Sequence, residues 1–195
     1  VGSVRRLCVV GLLVVLLLAQ PGFGSAALVL AITVGMIWLG GARARDLGAL
    51  ALLGVPLMAL VAFAEPYRVK RLTSFIDPFA DPFNDGFQLS QALIAIGRGE
   101  WFGVGLGASV QKLYYLPEAH TDFILAVIAE ELGLAGVLLV LVLFGVVCVR
   151  TFRIGLRAVE QGQAFAGYCA FGIGLWLSVQ ALVSIGVNLG VLPTK

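Results

Sequence analysis

The sequence predicts an all-α protein, a polytopic transmembrane helical bundle with a large extracytoplasmic loop that carries short amphipathic helices. Hydrophobic residues make up 60% of the 195 residues and charged residues only 12%, and the apolar residues form long blocks. Soluble domains carry about 25% charged residues, so this chain lacks the charges to cover a water-exposed surface. These observations exclude a soluble α/β enzyme, a disordered chain and a disulfide scaffold. The formal net charge of +2 gives no reason to expect nucleic acid as a partner.

Five apolar blocks predict five membrane-spanning helices, because a helix needs about 20 apolar residues to cross the hydrocarbon core. The first block is short and would need tilt, snorkelling arginines or local thinning of the bilayer. Between the third and fourth blocks lies the only long polar region, residues 67–122. The predicted spans cover residues 7–20, 24–41, 47–64, 123–149 and 165–189.

Arginines in the short connections predict the orientation of these spans. Positive charge in short loops marks the cytoplasmic side of a membrane protein. Strict alternation of five spans puts three arginine clusters on one face, and therefore puts residues 67–122 on the external face. The positive residues of that long loop are diluted among acidic residues. The three clusters are Arg5 with Arg6, Arg43 with Arg45, and Arg150 with Arg153 and Arg157.

The long loop, residues 67–122, is where we expect function, since connections of this length are uncommon without one. Asp77-Pro78 and Asp81-Pro82 are turn signals. From Phe87 to Ile96 the apolar positions recur about every 3.6 residues, which predicts an amphipathic helix at the membrane surface. Five glycines between residues 97 and 107 predict that no regular element continues after this helix.

His120, Thr121 and Asp122 open the fourth predicted span, where a carboxylate meets the first helical turn at the water boundary. One interpretation is helix capping, with Thr121 as the N-cap and Asp122 in the first turn. The other is a general base, because a carboxylate at the edge of a groove can accept a proton from a substrate hydroxyl. The spacing leaves both open. His120 is the only histidine, and it fits an orienting hydrogen-bond partner better than a metal ligand.

Glu130 and Glu131 lie further along the same span, where carboxylates are costly unless they face a polar cavity or a cationic partner. On a continuous helix, Glu130 would lie about 12 Å deeper than Asp122 and about 80° around the axis. Glu130 is therefore the better candidate to extend a polar groove below Asp122. An interhelical hydrogen bond is the alternative for both glutamates.

A group of cations follows the third predicted span, at the same external interface as Asp122. Arg68, Lys70 and Arg71 fit either a contact with lipid headgroups or an anion clamp for phosphate or pyrophosphate. Tyr114 and Tyr115 after Lys112 fit an interfacial aromatic belt or a surface that stacks against a sugar ring. The residues alone do not choose between these interpretations.

Eight short segments carry a family resemblance: AEPYR (64–68), RLTSF (71–75), DPFADPF (77–83), GRG (97–99), GLG (105–107), SVQK (109–112), YLPEAHTDF (115–123) and LPTK (192–195). Together they resemble the SEDS (shape, elongation, division and sporulation) family, and the last segment is more similar to its division branch than to its rod-elongation branch. Members have ten spans. The resemblance therefore implies that residues 1–195 form a partial SEDS-type membrane domain holding about spans five to nine.

The resemblance implies a peptidoglycan glycosyltransferase that polymerises lipid II into glycan strands for septal cell-wall synthesis. The aspartate of the family's His-Thr-Asp-Phe motif, held essential for polymerisation, corresponds to Asp122, the expected catalytic base. A lipid II flippase is the alternative function, since intramembrane carboxylates also suit a transporter. The expected substrate-binding residues are Arg68, Arg71 and Lys112 for the pyrophosphate, together with Glu118, His120, Thr121, Glu130 and Lys195.

The resemblance also implies partners and a location. The substrate would be lipid II, an undecaprenyl-pyrophosphate-linked disaccharide-pentapeptide. The protein partners would be a class B penicillin-binding protein, an FtsI-type transpeptidase, and other divisome proteins, in a multi-pass protein of the bacterial inner membrane at the division septum. The cofactor is left open, with a divalent cation such as Mg²⁺ or Mn²⁺ as the candidate. We expect the isolated chain to be inactive, because half the spans that would enclose the groove are missing from it.

Overall fold

The computed structural model describes residues 11, 23–45, 47–48, 52, 54, 56, 59–60, 77–81, 84, 86–114, 116 and 119–193. This part of the chain forms helices and contains no strand, which confirms the all-α fold class. The helices are α1 (Phe23–Leu39), α2 (Phe87–Gly99), α3 (Val110–Tyr114), α4 (Ile124–Glu160) and α5 (Ala164–Asn188).

Helices α4 and α5 are long and apolar enough to cross a membrane, and α1 is a shorter apolar helix. In the most apolar window of α4 only 11% of the residues are buried inside the protein, and in that of α5 only 17%. A core helix of a soluble protein would be mostly buried, so these helices present their apolar surface outward, as lipid-facing helices do. Of the predicted spans, 24–41, 123–149 and 165–189 coincide with α1, α4 and α5, whereas 7–20 and 47–64 lie outside the described residues apart from isolated positions.

Helix α4 continues to Glu160, eleven residues beyond the predicted end of its span at residue 149. Three exposed arginines lie in this extension, and long side chains of this kind let a charged group stay solvated while the backbone remains helical. The helix ends where Gly162 adopts a φ of 78°, a left-handed conformation that favours glycine. The N–H groups of Gly162 and Gln163 there donate to the carbonyls of Val159 and Ala158.

The chain divides into two compact units, residues 1–65, 148–180 and 195 in one, and residues 66–147 and 181–194 in the other. In the first unit, α4 and α5 pack closely because Gly155 lies directly against the ring of Phe171. Phe171 also stacks on Phe152, with ring centroids 6.1 Å apart.

The second unit holds the described part of the long loop. Its core is built from small and apolar side chains: Ala92, Ala95, Leu116, Ala119, Phe123, Ala126, Val127 and Val187. Helix α2 confirms the helix predicted from residue 87, and it buries Leu89, Ala92 and Ala95. The expectation that the glycines end this helix was wrong at its start, because α2 continues through Gly97 to Gly99; α3 begins only after the last of the five glycines. Gly99 packs so closely on Ala129 that a Cβ would overlap its carbonyl, so this glycine serves close packing.

Candidate functional site

Helix α4 consists of two helical segments that meet at Gly133, where φ is 67° and ψ is −167°. Side chains rarely adopt this φ, so the break requires glycine. A Cβ at Gly133 would also overlap the backbone of Trp101, Phe102 and Gly103. The expectation of one continuous helix was therefore wrong. The extrapolation from Asp122 to Glu130 was wrong as well, because α4 begins only at Ile124 and Asp122 precedes it.

The broken turn of α4 pairs its backbone with residues 100–107, which we call the glycine loop. A helix that breaks leaves N–H and carbonyl groups without intrahelical partners, and in an apolar setting each must find another partner. The glycine loop supplies these partners on both sides of Gly133. Its backbone makes four bonds of 2.9 to 3.1 Å: Val104 N–H to Glu130 O, Gly105 N–H to Glu131 O, Leu134 N–H to Glu100 O and Ala135 N–H to Trp101 O.

The carboxylate of Glu130 is fully buried and is held by three donors. Arg98 Nη1 lies 3.1 Å from Oε1, Ser109 Oγ lies 2.5 Å from Oε2, and the Val110 N–H donates to Oε1 at 3.3 Å. Glu130 thus joins α4 to the end of α2 and to the start of α3. Of the two alternatives for Glu130, these contacts fit the interhelical hydrogen bond. The Glu130 oxygens do not face a polar groove below Asp122.

Glu131 and Lys112 form a second, more exposed ion pair, with Oε1 and Nζ 3.5 Å apart. The Lys112 side chain is 36% exposed, so its ammonium group can still reach an anion in solvent. Its backbone N–H donates to Ser109 Oγ at 3.0 Å. Ser109 therefore caps α3 and binds Glu130 with the same hydroxyl group.

Asp122 lies at the boundary between solvent and core. His120 and Thr121 before it are exposed, Asp122 is half-buried, and Phe123 after it is 2% exposed within the core. The burial of Phe123 explains why the carboxylate sits at an edge instead of in the interior. Thr121 lies three residues before the start of α4 and not directly before it, as an N-cap would.

Asn188, which the sequence interpretation passed over, caps the start of α4. Its Oδ1 accepts from the Ala126 N–H at 3.0 Å, and its Nδ2 donates to Asp122 O and to Ser184 O, both at 2.8 Å. The side chain is completely buried at the end of α5. The signal available in the sequence was an amide inside an apolar span, which needs polar partners and is commonly functional.

The structure brings Lys112 and Glu130 together around Ser109, and it places Asp122 beside Asn188. The other predicted site residues, Arg68, Arg71, Glu118 and Lys195, lie outside the described residues. Within the described ranges, no three His, Cys, Asp or Glu side chains form a group that could hold a metal ion. The chemistry available among the described residues is that of the half-buried Asp122 carboxylate and of the partly exposed Lys112 ammonium group, which pairs with Glu131.

Comparison with known proteins places these features in a family. A family model for FtsW, RodA and SpoVE, described as cell cycle protein, matches residues 2–195. The chain is 60% identical over 188 residues to the probable peptidoglycan glycosyltransferase FtsW of Xanthomonas oryzae pv. oryzae, covering 96% of this chain and 38% of that protein. It is 50% identical over 194 residues to the probable peptidoglycan glycosyltransferase FtsW of Thioalkalivibrio sulfidiphilus, covering 100% and 48%.

A solved structure also matches this fold. It comes from work on the structural coordination of polymerization and crosslinking by a peptidoglycan synthase complex. The TM-score is 0.70 at 29% sequence identity, and the match covers 93% of this chain and 49% of that chain. The chain therefore spans less than half the length of these relatives.

Proposed function

Because the chain belongs to the FtsW, RodA and SpoVE family of cell cycle proteins, we propose that it supplies the acidic centre of a peptidoglycan glycosyltransferase. Membership confirms the SEDS resemblance seen in the sequence. The names of the relatives support the reaction class. The substrate is lipid II, which the enzyme polymerises into glycan strands for the septal wall.

The observation that carries this proposal is the position of Asp122. Its carboxylate belongs to a half-buried residue between exposed Thr121 and buried Phe123, and its own carbonyl is held by Asn188. A proton acceptor needs access to substrate together with a defined position, and this arrangement offers both. A carboxylate sealed in the core, as Glu130 is, would lack the access.

In the proposed reaction an acceptor sugar hydroxyl attacks the anomeric carbon of the donor. The new carbon–oxygen bond forms as the bond to the pyrophosphate oxygen breaks, and the pyrophosphate leaves with the electron pair. Asp122 accepts the hydroxyl proton. Lys112, with Arg68 and Arg71, stabilises the charge that develops on the leaving group. The motif residues Glu118, His120, Thr121 and Lys195 contact the sugars or the diphosphate.

Glu130 has a different proposed place in this reaction. Its oxygens are occupied by Arg98, Ser109 and the Val110 N–H, so it supports the substrate site by holding α3, which carries Lys112.

A flippase is not favoured, because the relatives are named for glycosyl transfer. The likeness to a peptidoglycan synthase complex supports a partner synthase, which we propose is a class B penicillin-binding protein of the FtsI type. The two apolar helices and the family indicate a membrane protein, which we place at the septum in the inner membrane.

The test uses the full-length protein in proteoliposomes supplied with labelled lipid II, with glycan polymer and lipid translocation measured separately. Asp122→Asn should reduce polymer formation by about 10²- to 10⁴-fold, the contribution of a general base. Asp81→Asn is the matched control, because Asp81 is an exposed carboxylate that only accepts bonds from Asn84 in a turn. Polymerisation retained by Asp122→Asn would refute the base assignment. Translocation of lipid II by the wild type without polymer formation would favour the flippase.

A further inference from the structure

The structure assigns Asn188 as the residue that positions Asp122 for the reaction, which makes it a positioning residue and not a catalytic one. This inference rests on the proposed function of Asp122. The two residues lie 66 positions apart in the sequence and meet through the bond from Asn188 Nδ2 to Asp122 O, 2.8 Å long.

The amide of Asn188 can take only one orientation in this network. It faces one N–H donor, that of Ala126, and two carbonyl acceptors, those of Asp122 and Ser184. Oδ1 must therefore point at Ala126, and the two hydrogens of Nδ2 satisfy the two carbonyls. With zero exposure the side chain has no water to replace any of these partners. The three bonds consequently hold the amide rigidly.

Through this amide the start of α4 is fixed at two points. The Ala126 N–H belongs to the first turn of α4, where it donates both to Asn188 Oδ1 and to Phe123 O at 3.1 Å, and the Asp122 carbonyl lies just before the helix begins. Holding both sets the backbone path across Asp122 and Phe123, and with it the point from which the Asp122 side chain extends. In the reaction, a displacement of about 1 Å at a reacting group can lower the rate by about 100-fold. Asn188 therefore restricts the position of the Asp122 carboxylate.

The two polar ends of Asn188 can be separated by substitution. Asn188→Asp keeps an oxygen for the Ala126 N–H but replaces the donor that holds Asp122 O by a second acceptor. Asn188→Ser keeps a hydroxyl that can return to Ser184 O four residues before it, and it loses both bonds to the start of α4. Ser178→Ala is the matched control, because the Ser178 hydroxyl donates only within α5, to Gly174 O at 2.7 Å.

The experiment measures lipid II polymerisation by the full-length variants in proteoliposomes, normalised to folded protein, at several temperatures below unfolding. Both Asn188 variants should lower kcat by about 10- to 100-fold while the KM for lipid II stays within about threefold. Ser178→Ala should match the wild type in both. A wild-type kcat in either folded variant would overturn the inference, and so would a loss that disappears when the temperature is lowered, because that pattern belongs to a purely structural role.

A double-variant cycle separates failure of this inference from failure of the proposed function. If Asn188 acts through Asp122, then Asn188→Ser should cause no further loss in an Asp122→Asn background, although it lowers activity in the wild-type background. Equal losses in both backgrounds would refute the positioning role and leave the base assignment intact. Full activity of Asp122→Asn alone would remove the proposed base, and with it the inference.

Discussion

The Glu130 carboxylate lies 3.1 Å from the Arg98 guanidinium, with Glu130 fully buried and the Arg98 side chain 45% exposed. The arginine therefore neutralises a buried charge while it keeps contact with solvent, which lowers the desolvation cost of the pair. Ser109 and the Val110 N–H complete the set of donors around this carboxylate. The result is a polar junction between α2, α3 and α4 beside the break at Gly133.

Removal of Arg98 should destabilise the protein more than removal of the whole pair. Arg98→Met leaves a buried carboxylate without its cation, at a cost of about 1–3 kcal/mol in the free energy of unfolding. The double variant Arg98→Met with Glu130→Leu should recover part of that loss, since it removes the unpaired charge. Thermal unfolding in detergent measures both, with the exposed Arg150→Met as control. Equal losses in the single and double variants would contradict this account of the junction.

Loss of the Ser109 hydroxyl should loosen α3. Ser109→Ala removes the bond to Glu130 Oε2 and the cap on the Lys112 N–H, at a cost of about 1–3 kcal/mol in stability. Faster amide hydrogen exchange over residues 109–114 should accompany it. Ser90→Ala is the control, because buried Ser90 donates only to Phe87 O within its own turn. Unchanged exchange in Ser109→Ala would show that α3 is held by other contacts.

Substitution of Gly133 should prevent the break in α4. Gly133→Ala places a Cβ in a left-handed backbone conformation, costing about 1–2 kcal/mol, and drives it into the backbone of Phe102 and Gly103. We expect little folded, monodisperse protein after detergent extraction. Gly145→Ala in the same helix is the control, because its Cβ would meet nothing within 4 Å. Normal yield and thermal stability of Gly133→Ala would contradict the close approach of the glycine loop.

Replacement of Lys112 should affect substrate binding more than stability. The pair with Glu131 is partly exposed, and such pairs contribute about 0–1 kcal/mol. If Lys112 contacts the pyrophosphate, Lys112→Gln should raise the KM for lipid II about tenfold, equivalent to about 1.4 kcal/mol. Lys112→Arg should retain most of the affinity. Polymerisation kinetics measure the KM for lipid II, and thermal unfolding measures the stability. An unchanged KM would remove Lys112 from the substrate site.

Several features of this protein followed from short-range patterns. The apolar blocks predicted helices at α1, α4 and α5, and a period of about 3.6 residues predicted α2. These patterns depend on neighbours within one or two turns, so they can be recognised without knowing the fold. The need of Glu130 and Glu131 for polar or cationic partners could be foreseen in the same way, because it depends only on charge in an apolar segment.

Tertiary packing decides which residues are the partners of Glu130 and Glu131. The apolar pattern predicts a continuous helix through Gly133, and the φ of this glycine depends on the glycine loop that approaches it in three dimensions. Arg98 and Glu130 are 32 residues apart, and Asn188 and Asp122 are 66 apart. Local pattern carries no information on which distant groups meet, since that depends on how complete helices fit together. The linear chain thus specified the helices and the acidic motif, and only their assembly in three dimensions set the depth of each carboxylate and the amide that holds the candidate base.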